Sequence, residues 1–151
     1  MRSLGSLSVM VALLLWGPVP GDAQDLRPLF RNVSPSVAVI RAKGSEVTAA
    51  GQVHFNETGS GVLISADGKV MTAAHVVHSM DDITVEFLGG ETVRARIIAS
   101  EPAADLSLLQ LERVPPKARV AKLADSDAVS VGEQVLVVGA PYGLSYSMSV
   151  G

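Results

Sequence analysis

One histidine and one aspartate are the residues of this chain best suited by type and setting to do chemistry together. His75 lies in TAAHVV, so its imidazole has only small and apolar neighbours, and Asp105 is an isolated acid within PAADLSLL. A carboxylate bonded to an imidazole holds the ring in one tautomer, and the ring can then act as a general base. Each residue also has an ordinary interpretation, because His75 fits core packing and Asp105 fits a turn that faces water.

The other two histidines offer a metal site as an alternative. His75 and His78 are three residues apart, and Asp81, Asp82 and His54 would complete a ligand set. A zinc site needs three or four convergent ligands, and nothing in the sequence fixes the geometry of His54. We therefore expect no metal and no cofactor, and we predict that His78 is a surface residue.

No serine or cysteine stands out as a nucleophile. Ser145, Ser147 and Ser149 alternate near the last residue, but none has glycines arranged around it, so none is assigned this role. The chain has no cysteine at all, which excludes cysteine hydrolases, thiolate-bound zinc and stabilisation by disulfides.

Two short strands and a tight turn are predicted to position His75. The strands are 61–66 and 69–72, and Asp67-Gly68 between them is a strong hairpin signal, because glycine accepts the positive φ of such turns. The segment 43–58 is predicted to be a long loop or a flexible hairpin. Further strands are predicted at 36–42, 83–88, 92–99, 106–111, 120–123, 133–139 and from 145 onward. Short strands separated by Gly and Pro favour an all-β antiparallel barrel or sandwich.

Composition and charge narrow the class of protein. The 151 residues are 48% hydrophobic and 18% charged, which favours a folded core over disorder. The net charge of -3, without a basic run, excludes the electrostatic surface that nucleic acid requires.

The first 23 residues have the pattern of an export signal. Arg2 provides a positive start, Val9–Trp16 is an unbroken apolar run, and Gly21 and Ala23 supply small residues before a cleavage site. A membrane anchor is the alternative, but the run is much shorter than the roughly 20 residues of a spanning helix. We predict cleavage after Ala23, a mature chain without a membrane span that begins at Gln24, and a periplasmic or secreted location.

Three blocks of sequence resemble the trypsin-like serine proteases of the HtrA/Deg type. They are GSGVLISADGKVMTAAHVV, PAADLSLLQL and LADSDAVSVGEQVLVVGAPYGL, and they occur in the family's order between Pro35 and Gly151. The resemblance implies that His75 is the general base and Asp105 its orienting carboxylate. It also implies a trypsin-like double β-barrel, with a lead-in at 24–34, a complete first barrel at 35–119 and a truncated second barrel at 120–151.

The nucleophile is where the chain departs from the family. In the family this serine lies in a Gly-x-Ser-Gly-Gly segment that also forms the oxyanion hole, and the 151 residues contain no such segment. We therefore expect no measurable hydrolysis by the chain as written. The resemblance implies that the complete protein is a serine endopeptidase for quality control of exported proteins. Its substrates would be unfolded or misfolded proteins, and it would assemble as a homotrimer. The alternative is a catalytically dead protease-like chaperone or scaffold.

Overall fold

Six strands form a closed antiparallel barrel in the computed structural model, which describes residues 25–140 and 146–151. The order around the barrel is β1-β2-β3-β6-β5-β4. The strands are β1 Val37–Thr48, β2 Gly51–Leu63, β3 Lys69–Thr72, β4 Asp82–Phe87, β5 Thr92–Glu101 and β6 Leu106–Leu111. Two further strands, β7 Leu136–Gly139 and β8 Ser147–Val150, pair as a separate ribbon. The predicted all-β fold with a closed first barrel is confirmed.

The helices in the described residues are short. Helix α1 is Arg27–Val33, and helix α2 is the single turn Ala74–Val77. Three 3-10 turns cover Ser34–Ser36, Pro102–Ala104 and Ser126–Ala128. Across 25–140 and 146–151, none of the helices combines the length and apolar character needed to cross a bilayer.

The barrel interior is filled by the inward-facing residues of each strand. In β4, for example, Ile83, Val85 and Phe87 are buried, whereas the polar residues between them are partly exposed. Alternate side chains of a strand point to opposite faces, so this pattern places every second residue in the core. Each fully buried side chain of this size stabilises the fold by about 1.5–3 kcal/mol. The core also contains Ala38, Ile40, Ala42, Leu63, Val70, Val76, Val77, Val93, Leu109 and Leu111.

The segment predicted as a loop or flexible hairpin is a regular hairpin. Strands β1 and β2 pair without interruption from Val37 opposite Val62 to Thr48 opposite Gly51. The far half of this hairpin extends past β4, and Asp81 secures its base by accepting hydrogen bonds from the backbone N–H and the hydroxyl of Ser45. Long-range contacts therefore order a segment whose composition is typical of a loop.

Three strand predictions were wrong in extent or existence. No strand forms at 120–123, although Ala121 donates a backbone hydrogen bond of 2.8 Å to the carbonyl of Leu63. The strand predicted at 61–66 is the end of β2 and stops at Leu63, and the strand predicted from 133 begins at Leu136. The bond from Ala121, and one that the neighbouring Arg119 donates to the carbonyl of Pro35, hold the segment 120–123 in place of a ladder.

The β7–β8 ribbon contacts the barrel at two hydrogen-bonded points. The backbone N–H of Ala140 donates to Oγ of Ser60 at 2.8 Å, and the hydroxyl of Tyr146 donates to the carbonyl of Val37 at 3.2 Å. Apolar residues of α1 and of the ribbon line a common pocket, namely Leu29, Phe30, Val33, Leu136, Val138 and Met148.

Three predictions lie outside the described residues. These are the signal peptide 1–23, the new N-terminus at Gln24 and the start of a strand at Ser145.

Candidate active site

The position of His75 follows from where β3 ends. After Thr72 the backbone stays extended at Ala73 and then makes the single helical turn α2. Val76 and Val77 of this turn are buried in the barrel core, while His75 is exposed. The apolar pair therefore fastens the turn to the end of the barrel and leaves the imidazole facing solvent.

Asp105 is positioned by a tight turn between β5 and β6. Pro102 begins a 3-10 turn, and the carboxylate of Glu101 accepts a hydrogen bond of 3.3 Å from the backbone N–H of Ala103. Asp105 ends the turn with φ 52° and ψ 41°, a left-handed conformation that aspartate tolerates better than most residues. The turn thus fixes the position of Asp105 immediately before β6 begins.

Strand pairing brings the two residues together. Strands β3 and β6 are antiparallel neighbours, with Thr72 opposite Ser107. The end of β3 therefore lies beside the start of β6, so the residues that follow one strand and precede the other are adjacent. Sequence spacing does not contain this information, because it depends on which strands pair.

His75 and Asp105 are joined by several hydrogen bonds. Nδ1 of His75 is 2.8 Å from Oδ2 of Asp105 and 3.0 Å from Oδ1. The backbone N–H of His75 also donates to Oδ1 at 2.9 Å, and the backbone N–H of Ala74 donates to the carbonyl of Asp105 at 3.1 Å. Asp105 consequently holds both the ring of His75 and the backbone that carries it.

These contacts determine the charge of Asp105 and the tautomer of His75. The backbone N–H of His75, and then its imidazole, hold the pKa of the Asp105 carboxyl below its ordinary value of 3.8, and slight burial opposes them. An ionised carboxylate only accepts hydrogen bonds, so Nδ1 carries the proton. In the neutral ring, Nε2 is then left with a free lone pair, as a general base requires.

The pair is open to solvent. The side chains of His75 and Asp105 are 70% and 52% exposed. Exposed ion pairs contribute little to stability because water screens them. The contact is therefore better explained by orientation of the imidazole than by stabilisation of the fold.

The remaining candidate residues are not part of this cluster. His78 is exposed at the end of α2, as predicted, and His54 lies in the hairpin opposite Ser45. Over the described ranges, no three His, Asp or Glu side chains converge as a metal site would require. Ser147 and Ser149 lie on β8, opposite Gly139 and Val137.

Within 25–140 and 146–151, the imidazole of His75 has hydrogen bonds to Asp105 alone. The structure thus brings together the histidine and the aspartate that sequence reasoning selected, and it joins no described serine to them.

One residue in contact with the turn that carries His75 was not selected from the sequence. Gly59 packs against Val76 of α2. A glycine inside a strand often marks a close approach of another segment, so the signal was present in the GSG motif.

The sequence matches a known family. The family model of the trypsin-like peptidase domain matches residues 59–151. The chain belongs to the trypsin-like peptidase family. The resemblance to the HtrA/Deg type is confirmed by two relatives of this family. A probable periplasmic serine endoprotease of DegP-like type from Ectopseudomonas mendocina is 30% identical over 100% of this chain. The periplasmic serine endoprotease DegP of Escherichia coli K12 is 37% identical over 66% of it.

The chain is short relative to these trypsin-like peptidases. It spans 40% of the length of the Ectopseudomonas relative and 21% of the E. coli protein. Among solved structures, a variant of the HtrA-type protease AlgW with a decapeptide superimposes with a TM-score of 0.74 and 23% identity, over 81% of this chain and 44% of that one. This likeness supports the fold.

Proposed function

We propose that this chain supplies the histidine and the aspartate of a serine endopeptidase. His75 is the general base that removes a proton from a serine hydroxyl, and Asp105 holds its ring and stabilises the imidazolium that forms. The observation that carries the proposal is the contact of Asp105 with both the Nδ1 and the backbone N–H of His75. A histidine serving only as core filling would be buried, and this one is exposed.

The substrate class proposed is unfolded or misfolded protein in an exported compartment. Support comes from the relatives named periplasmic serine endoproteases and from the signal-like pattern of residues 1–23. Assembly as a homotrimer and the division into a first barrel at 35–119 and a second from 120 are proposed on the sequence resemblance. No cofactor is needed, because a triad works by proton transfer and covalent attack alone.

The test uses the chain together with any sequence that its gene encodes after Gly151. If that sequence contains Gly-x-Ser-Gly-Gly, the longer protein should cleave unfolded casein, while the 151-residue chain alone should not. His75→Ala should abolish cleavage, and Asp105→Asn should lower the rate by about 10⁴-fold, a magnitude taken from the general serine-protease triad.

His78→Ala is the matched control, because this histidine is exposed at the end of the same helical turn. Full activity in the His75→Ala variant, or equal loss in His75→Ala and His78→Ala, would contradict the proposal.

A catalytically dead protease-like chaperone or scaffold, the alternative left open by the sequence, is the second candidate. It would be supported by a stop codon after Gly151 together with suppressed aggregation of an unfolded protein without cleavage.

A further inference from the structure

The helical turn that carries His75 rests directly on the backbone of β2. Val76 is 5% exposed and packs toward Gly59, which lies opposite Ile40 in the β1–β2 ladder. A turn of only four residues has little internal rigidity, since few of its hydrogen bonds are its own. Its position is therefore set by what it packs against.

Gly59 leaves no room for a side chain at this contact. A β carbon there would lie 2.5 Å and 3.0 Å from the two γ-methyl groups of Val76, and 3.3 Å from its Cβ. Carbon atoms in optimal contact are about 3.5–4.0 Å apart. Valine is stiff about χ1, so rotating its side chain does not readily relieve such an overlap.

The strain would fall on α2 more than on β2. Gly59 belongs to a ladder that pairs β2 with β1 from Gly51 to Val62, whereas α2 is a single turn that packs on the barrel through side chains and takes part in no ladder. Moving Val76 outward would also move His75, the preceding residue. It would lengthen the hydrogen bonds of 2.9 Å and 3.1 Å that the backbone N–H groups of His75 and Ala74 donate to Asp105.

We propose that Gly59 is a positioning residue for His75. Because Gly59 has no side chain, Val76 packs directly on its backbone, and this packing sets the geometry of the His75–Asp105 contact. The importance of this geometry for catalysis rests on the proposed function, but the contact itself is measurable in the 151-residue chain without any activity.

Gly61 provides a matched control in the same strand. It faces the same side as Gly59, and a β carbon there would lie 2.7 Å from Cδ1 of Ile40 and 2.8 Å from Cγ1 of Val70. Both glycines are thus tightly packed, and both Gly→Ala variants should be destabilised. Only the overlap at Gly59 involves α2.

The experiment compares Gly59→Ala, Gly61→Ala and the double variant Gly59→Ala/Val76→Ala by ¹⁵N NMR. The readouts are the imidazole nitrogen shifts of His75, which report the tautomer, and the exchange protection of its backbone amide. We expect Gly59→Ala to lose the Nδ1–H pattern and the amide protection, Gly61→Ala to keep both, and the double variant to recover both.

Unchanged His75 signals in Gly59→Ala, or equal loss in Gly61→Ala, would overturn the proposal. If Gly59→Ala does not fold, the double variant decides, since recovered signals support the proposal and absent ones refute it. Casein cleavage by the longer protein tests only the proposed function, so the two failures are distinguishable.

Discussion

The hydrogen bond between Ser60 and Ala140 is expected to fasten the β7–β8 ribbon to the barrel. Ala140 is fully buried, and its N–H donates to the Ser60 hydroxyl at 2.8 Å. Ser60→Ala removes the acceptor and leaves a buried donor without a partner, which costs about 1–3 kcal/mol. At about 1.4 kcal/mol per tenfold change, the equilibrium for release of the ribbon shifts by about 5- to 140-fold.

Amide hydrogen exchange measures this shift residue by residue. In Ser60→Ala, we expect exchange at Ala140 and along β7 to accelerate by that factor, while the amides of β3 and β6 change little. Ser130→Ala is the control, because Ser130 is exposed and its hydroxyl has no hydrogen-bond partner among the described residues. Unchanged exchange at Ala140 in Ser60→Ala, or equal acceleration in the control, would show that this hydrogen bond does not fasten the ribbon.

The remaining predictions concern the core and two ionisable groups. Leu109→Ala should lower the free energy of unfolding, measured by chemical denaturation, by about 2–5 kcal/mol, because Leu109 is fully buried. Leu123→Ala is the control and should lower it little, because Leu123 is 70% exposed. Burial raises the pKa of Tyr146 to about 12, so with the other tyrosine changed to Phe, absorbance at 295 nm should titrate near that pH. The unfolded tyrosine ionises near pH 10, so stability should fall as the pH rises from 10 to 12. Since the pKa of Asp105 is lowered, the amide shift of His75 should titrate below pH 3.8. The small stability contributed by the His75–Asp105 contact should likewise be lost only as the pH falls through that range.

Much of the barrel could be predicted because its strands carry their own pattern. Residues 83–87 alternate between apolar and polar, and the structure places β4 there with Ile83, Val85 and Phe87 inside. The turn at Asp67-Gly68 was also predicted from the sequence, and in the structure Gly68 adopts a positive φ of 90°. These are local properties, set by side-chain alternation and by the backbone freedom of glycine.

The structure differs from the predictions where order depends on distant partners. The hairpin that spans 43–58 has few apolar residues, and its regular pairing is supported by Asp81 bonding to Ser45. Conversely, 120–123 was predicted to be a short strand, but it has a backbone hydrogen bond from Ala121 to Leu63 and no ladder. Periodicity alone does not reveal whether a neighbouring strand is available.

By itself, the sequence determined the residue types of the site and the local turns that present them. His75 after a strand, Asp105 before another, and the three blocks that resemble trypsin-like proteases were all readable from the chain. The meeting of His75 and Asp105 depends on the fold, because it requires β3 and β6 to be neighbours with Thr72 opposite Ser107.

The tertiary structure also decided what lies beneath the site. The close fit of Val76 on Gly59 joins a helical turn to a strand through two residues that are 17 positions apart in the chain, and it forms only once the barrel has closed. A sequence specifies which groups are available for chemistry. Their mutual distances are a property of the packed core, because close packing across many strands places each element against its neighbours.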